Sequence, residues 1–203
     1  YCIVPYTRGK ERYKAMGMIL REAEDLVSRG VLEITLLGQN INSWRDGKWR
    51  FADVLTELNK VPGLKRIRFT TSHPINTDER MLTAMAAADK VCETLQLPIQ
   101  SGSDRILALM RRGYTRASYD RLVALSRELM PGLAITTDII VGFPGETDDE
   151  FAETLAFPTV VVSGEQTTLA AIDAVSDTYP LRGQLTVADT LFGNGRPATG
   201  VPA

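Results

Sequence analysis

Leu32-Glu33-Ile34-Thr35-Leu36-Leu37-Gly38-Gln39-Asn40-Ile41-Asn42-Ser43 decides how the rest of the chain is read. Its first six residues read as a strand, and the remainder is a polar cluster opened by a glycine. Upstream, residues 14–29 carry Ile19, Ala23, Leu26 and Val27 at helical spacing, and Gly30 ends that run. Downstream, residues 51–60 read as a short helix. The order strand, polar cluster, helix then recurs. Residues 65–70 form an alternating strand, and Thr77 is placed to cap a helix over 78–88. A strand at 93–97 is closed by Pro98. Ser103 can cap a helix to Met110, and Thr115 another to Met130. Residues 133–141 form a nine-residue apolar strand, and Thr147 and Glu150 have capping-box spacing before a last helix through Phe151 and Leu155. Repeated strand-then-helix order implies a parallel sheet covered by helices. The fold class is α/β. An open or partial (β/α) barrel fits four strands with their crossovers best, and a doubly wound sheet is the alternative.

A polar or glycine-bearing cluster follows each strand. These are residues 38–43, then Thr71-Ser72-His73-Pro74, then Gln100-Ser101-Gly102-Ser103, then Gly142-Phe143-Pro144-Gly145-Glu146-Thr147. The carboxyl ends of parallel strands form the ligand-binding face of β/α folds. Any one cluster reads more readily as a plain turn. Four on the same face point to a single polar rim, with glycines that let a ligand approach the backbone.

The totals restrict the choices further. The 203 residues contain 23 Lys plus Arg and 25 Asp plus Glu, a net charge of −2, which does not signal a strongly basic nucleic-acid binder; contact with RNA would rest on local patches. Two cysteines, Cys2 and Cys92, make no disulfide framework, and a reduced, intracellular setting is expected. No stretch reaches the roughly 20 apolar residues of a membrane span. Composition changes near Phe157. Residues 1–156 hold 21 basic and 21 acidic residues and all six Lys and all six Met, whereas 157–203 hold two basic and four acidic ones. This step divides a core at 1–156 from a tail at 157–203.

Several motifs carry a resemblance over residues 1–156. They are Tyr1-Cys2-Ile3-Val4-Pro5-Tyr6-Thr7-Arg8-Gly9, Leu36-Leu37-Gly38-Gln39-Asn40, Thr70-Thr71-Ser72-His73-Pro74, Leu97-Pro98-Ile99-Gln100-Ser101-Gly102-Ser103, and the run from Thr136 through Asp138 to Thr147. Together they resemble the radical-SAM domain of MiaB-type tRNA methylthiotransferases. The resemblance implies a partial (β/α) barrel of radical-SAM type, a [4Fe-4S] cluster held by a CxxxCxxC motif, and S-adenosylmethionine on the cluster's open iron. A second cluster, on a domain this sequence does not include, supplies the sulfur. Cys2 matches the third cysteine of the motif and Tyr1 the aromatic position before it, near the adenine. The first two cysteines would precede Tyr1. Gly38, Gln39 and Asn40 would approach the methionine amino group, Gln100 and Ser101 the ribose, and Gly142, Phe143 and Pro144 the adenine. The implied reaction adds a methylthio group to C2 of isopentenylated adenosine beside the tRNA anticodon. Its partners are the anticodon stem-loop and a flavodoxin or ferredoxin electron donor, in the cytoplasm. The branches acting on a ribosomal protein or on threonylcarbamoyladenosine are the alternatives.

Other readings stand beside these. Cys2 alone cannot hold a cluster, so this chain by itself is expected to bind none and to be inactive. Cys92 reads as a buried apolar residue. His73, the single histidine, reads as a hydrogen-bonding loop residue. Arg8, Lys10, Arg12, Lys14, Arg111 and Arg112 fit either RNA phosphates or a solvated surface. The tail resembles the extracytoplasmic segment of FtsX/MacB-like ABC-transporter permeases, which suggests a chimeric joint, and a divergent sixth barrel strand at 159–162 is the alternative. A strand at 159–162 and about two helical turns at 168–175, on Leu169, Ile172 and Val175, are the regular elements the tail can supply. Most of 185–203 is expected to be irregular.

Overall fold

The computed structural model describes residues 4–150, together with backbone strands at 157–163, 166–172, 186–187 and 196–197. Expectations placed on Tyr1, Cys2, Phe151, Leu155, Val175 and the greater part of 185–203 lie outside the described residues. The chain forms two compact units, Tyr1–Ile140 and Val141–Ala203.

In the first unit, a short helix α1 (Val4–Arg8) precedes α2 (Met16–Ser28) and strand β1 (Glu33–Leu36), and both α2 and β1 pack apolar side chains against the core. Ala15, at the start of α2, has no side chain that can cap. Asp46 supplies the missing acceptor, taking the Met16 N–H at 2.9 Å. Asp46 sits on a hairpin absent from the sequence reading, β2 (Arg45–Asp46) against β3 (Trp49–Arg50), turned by Gly47 at φ +53°. Then follow α3 (Phe51–Asn59), β4 (Arg66–Phe69), α4 (Glu79–Ala87), β5 (Thr94–Gln96), α5 (Asp104–Leu109), α6 (Arg116–Leu129) and β6 (Ala134–Thr136).

The four long-range strands are parallel. β1 pairs with β4, Glu33 opposite Arg66 through Leu36 opposite Phe69. β5 pairs with β6, Thr94 opposite Ala134 through Gln96 opposite Thr136. The two pairs join through a bridge between Ile67 and Val91. Because side chains alternate, one face presents Ile67, Phe69, Leu95 and Leu97 to the helices, all buried with Leu55, Leu58, Leu64 and Leu82 in one core. Complete burial of a leucine such as Leu55 contributes about 1.5–3 kcal/mol. The opposite face is polar and open to water at Thr35, Arg66, Arg68, Thr94 and Thr136. There Glu33 ion-pairs with Arg66 and Arg68, which holds its carboxyl below the usual carboxylate range.

Two expectations are corrected in this unit. Thr77 does not cap α4. The cap is Asp78, whose Oδ1 accepts the Met81 N–H at 2.8 Å, while the Thr77 hydroxyl donates to the His73 carbonyl. The nine-residue strand at 133–141 is only three residues long. Leu97 still donates its N–H to the Thr136 carbonyl at 2.8 Å, but the next N–H on that side, of Ile99, goes to the Thr137 hydroxyl at 2.9 Å instead of a backbone oxygen. Pairing resumes only as a single bridge between Gln100 and Ile139. Ser103 and Thr115 cap α5 and α6 as expected.

In the second unit, Thr147 and Glu150 make the reciprocal bonds of a capping box. The Glu150 carboxylate accepts from the Thr147 N–H at 3.0 Å, and the Thr147 hydroxyl accepts from the Glu150 N–H at 3.4 Å. The helix expected at 168–175 is replaced by a strand. β7 (Phe157–Ser163) pairs antiparallel with β8 (Gln166–Ile172), Val160 opposite Leu169, in a sheet of two strands. Strand β7 thus meets a hairpin partner. A barrel unit would instead need a crossover helix leading to a parallel strand. A second short pair joins β9 (Thr186–Val187) to β10 (Arg196–Pro197).

Candidate functional site

At the carboxyl ends of β1, β4 and β5 three of the polar clusters meet. Glycine-led residues 38–40 leave β1 and line an open cleft of about 1280 Å³ with Lys10, Arg12 and Lys14. Asn40 Oδ1 accepts from Asn76 Nδ2 at 3.2 Å, the Thr71 hydroxyl donates to the Gly38 carbonyl, and the Ile41 N–H reaches the Thr71 carbonyl at 3.3 Å. The first two clusters are therefore sewn together.

A second set of bonds runs on to the third cluster. The Thr71 N–H donates to Gln96 Oε1 at 2.8 Å, and Gln96 Nε2 donates to Asp138 Oδ2 at 3.1 Å. The Asp138 carbonyl accepts from the Gln100 N–H at 2.9 Å. Gln100 and Ser101 are buried, and the Ser101 hydroxyl accepts the Ser103 N–H at 3.2 Å. Backbone strain gathers on the same rim: Thr71 at φ +63° and Gln100 at φ +71° are left-handed without being glycine. Non-glycine residues persist in that region only where their surroundings impose it, and such residues concentrate at functional sites.

His73 is half-buried and serves the loop. Its Nδ1 accepts the Ile75 N–H at 3.2 Å, its ring meets Tyr114 edge-on, and its Nε2 lies 3.3 Å from Arg112. Burial, and then the Arg112 charge, hold its pKa below the ordinary histidine value. Asn42 underlies the same loop. It donates to the His73 carbonyl and the Thr77 hydroxyl, and it accepts the His73 N–H.

The sequence-derived site residues thus fall into three groups. Gly38, Gln39, Asn40, Gln100 and Ser101 share one rim. Gly142, Phe143 and Pro144 belong to the second unit, where the Glu146 carboxylate accepts the Gly142 and Phe143 N–H groups at 2.6 and 3.1 Å. Tyr1 and Cys2 lie outside the described residues. Sequence reasoning missed Gln96 and Asp138. The signal was a carboxamide on the non-core face of a strand whose neighbours, Leu95 and Leu97, are fully buried.

A [4Fe-4S] cluster with an open iron needs three thiolates. Cys92 is half-buried, and its N–H donates to the Ile67 carbonyl at the amino end of β5, the end away from the rim. Among the described residues no three His, Cys, Asp or Glu side chains converge on a metal position. The 203 residues do not fit such a cluster by themselves. For S-adenosylmethionine the donor types are suitable: backbone at glycine in residues 38–40, which line the cleft, and the buried amide and hydroxyl of Gln100 and Ser101, which do not line it.

A protein-family model described as the radical SAM superfamily matches residues 1–157. Among curated relatives, a tRNA-2-methylthio-N(6)-dimethylallyladenosine synthase of Syntrophomonas wolfei is 52% identical over 158 residues, covering 76% of this chain and 36% of its own. One of the same description from Moorella thermoacetica is 54% identical over 159 residues, with the same coverage. The chain thus spans about a third of the length of these relatives. Among solved structures, the cobalamin-dependent S-adenosylmethionine radical enzyme OxsB with aqua-cobalamin bound superposes with a TM-score of 0.52 at 16% identity, over 70% of this chain and 22% of that one. Its apo form gives 0.56 over 72% and 23%. This likeness concerns the fold. The chain belongs to the radical SAM superfamily.

Proposed function

We propose that residues 1–156 are the S-adenosylmethionine-binding part of a tRNA methylthiotransferase acting at C2 of isopentenylated adenosine beside the anticodon. The observation that carries this reading is identity above half, over about 160 residues, to synthases of that description. The superfamily works with S-adenosylmethionine and a [4Fe-4S] cluster, and S-adenosylmethionine supplies the reagent of its radical chemistry. The residues of this chain bind and orient that reagent. Gly38, Gln39 and Asn40 take the amino-acid end, and Gln100 and Ser101 take the ribose. The left-handed turns at Thr71 and Gln100 hold the backbone of the rim in place before any ligand arrives, so less ordering is needed on binding. The anticodon stem-loop is the macromolecular partner. A small electron carrier such as flavodoxin or ferredoxin is the reductant, and the setting is cytoplasmic. Among the described residues no helix is long and apolar enough to cross a membrane.

The test is a graft. Residues 1–156 replace the matching segment of the Moorella synthase, and the hybrid is expressed in a bacterium deleted for its own synthase. Mass spectrometry of tRNA nucleosides should recover the 2-methylthio form of isopentenyladenosine. Unmodified isopentenyladenosine, or a methylthio group on a different nucleoside, contradicts the reading.

A further inference from the structure

We propose that Gln96 is a positioning residue for this rim, its carboxamide closing a gap that the backbone leaves open between β4 and β5. The proposal rests on the rim being the S-adenosylmethionine site.

The gap is visible in the pairing. At their amino ends the two strands are joined by backbone bonds, from Ile67 N–H to the Lys90 carbonyl at 2.7 Å and from Cys92 N–H to the Ile67 carbonyl at 3.0 Å. Beyond Cys92, among the described residues, no backbone pair joins them, and the four parallel strands divide into β1–β4 and β5–β6. Where the backbone leaves this opening, a side chain of β5 bonds directly to the β4 side. Gln96 Oε1 takes the Thr71 N–H, on the β4 side, and Gln96 Nε2 reaches Asp138, which follows β6. The chemistry fixes the amide's orientation, since an N–H must meet the oxygen and a carboxylate must meet the NH₂.

Both strained residues of the rim lie one bond from this bridge. Thr71 is β-branched and left-handed, a conformation that has to be held, and its N–H is the group Gln96 grips. Gln100, also left-handed, donates its N–H to the carbonyl of Asp138. Thr71 in turn holds Gly38, through its hydroxyl, and Ile41, through its carbonyl. One carboxamide therefore couples residues 38–41 to residues 100–101, the two segments assigned to opposite ends of one ligand. Gln96 touches no reacting atom in this account. It sets the distance between two groups that do touch the ligand.

The test uses the full 203-residue chain with three variants and two readouts. Gln96→Leu is one atom shorter, apolar and of similar bulk, and removes both bonds. Gln96→Glu keeps an acceptor for Thr71 but sets a carboxylate against Asp138 until one of the two is protonated. Thr71→Gly, added to Gln96→Leu, removes the strain that Gln96 restrains. Exchange of the Thr71 amide is read without ligand, and S-adenosylmethionine affinity is read by equilibrium dialysis. Gln96→Leu should speed Thr71 exchange and weaken affinity, each about tenfold, as expected for losing the hydrogen bond on the half-buried Thr71 N–H, while Leu82 and Leu95 stay protected. The double variant should recover part of the affinity. Gln96→Glu should retain Thr71 protection and bind more tightly as pH falls, when a protonated carboxyl can again donate to Asp138. Unchanged Thr71 exchange in Gln96→Leu overturns the bridge, as does faster exchange with unchanged affinity. If Gln96→Leu does not fold, a pH-independent affinity in Gln96→Glu overturns it instead. If the parent chain binds no S-adenosylmethionine, the functional reading of the rim fails, and the exchange arm still decides whether Gln96 holds Thr71.

Discussion

Replacing Asn42 with Ala should destabilise the first unit strongly, although the residue lies in a cluster that invites a ligand-binding reading. Asn42 is 7% exposed. Its amide donates to the His73 carbonyl at 3.0 Å and to Thr77 Oγ1 at 2.9 Å, and its oxygen accepts the His73 N–H at 2.8 Å. After truncation the His73 carbonyl still has the Thr77 hydroxyl, at 3.1 Å. The His73 N–H keeps nothing equivalent. An orphaned donor, here half-buried, costs toward the low end of about 1–3 kcal/mol and each lost bond about 1 kcal/mol net, so the sum, allowing for overlap, is about 2–4 kcal/mol. With a urea slope of about 2 kcal/mol/M, the unfolding midpoint should fall by about 1–2 M. Asn42→Asp is the control. It keeps the acceptor for the His73 N–H but turns a carboxylate toward the His73 carbonyl, so it should also destabilise near neutral pH and recover in part when protonated. A midpoint shift for Asn42→Ala below about 0.3 M would refute the argument, because three bonds, one fully and two partly buried, cannot vanish so cheaply.

Two more outcomes follow from the same geometry. His73 has a folded pKa below its unfolded value, so the unfolded chain binds more protons and stability should fall as pH drops below about 6.5. The contribution is fully present above that value, and His73→Asn, which keeps an acceptor for the Ile75 N–H, should flatten the stability difference between pH 7.5 and 5.5; an unchanged slope contradicts the assignment. Asp78→Ala removes the acceptor for the Met81 N–H and should cost about 1 kcal/mol in urea denaturation, and a neutral result would return the cap of α4 to Thr77.

Much of the architecture could be read from periodicity, because each helix and strand buries one face and the apolar spacing records it. Ile67 and Phe69 alternate with Arg66 and Arg68 in the sequence as they do in the sheet. What could not be read depended on pairing. The apolar run at 133–141 gave no sign that the Ile99 N–H would turn to the Thr137 hydroxyl and end the ladder after three residues. The helical spacing of Leu169 and Ile172 gave no sign that residues 166–172 would pair with the β-branched run before them. On the rim, the glycine-bearing clusters were legible because glycine and amide residues after a strand mark a turn that a ligand can approach. Gln96 and Asp138 were not singled out, since the alternation that sets Gln96 on the non-core face of its strand does not show its partner, which lies 42 positions away. Asn42 was visible for the opposite reason. It stood in a polar cluster, yet its three bonds turn inward and leave it a structural support.

The most direct test of the account is where S-adenosylmethionine protects the backbone. Peptide-level hydrogen exchange of the 203-residue chain, with and without saturating S-adenosylmethionine, should show slowed exchange at residues 38–41 and 100–103. Exchange should be unchanged at residues 60–65 and 88–92, at the amino ends of β4 and β5. Protection at the amino ends, or none at either cluster despite measured binding, contradicts the placement of the ligand on this rim.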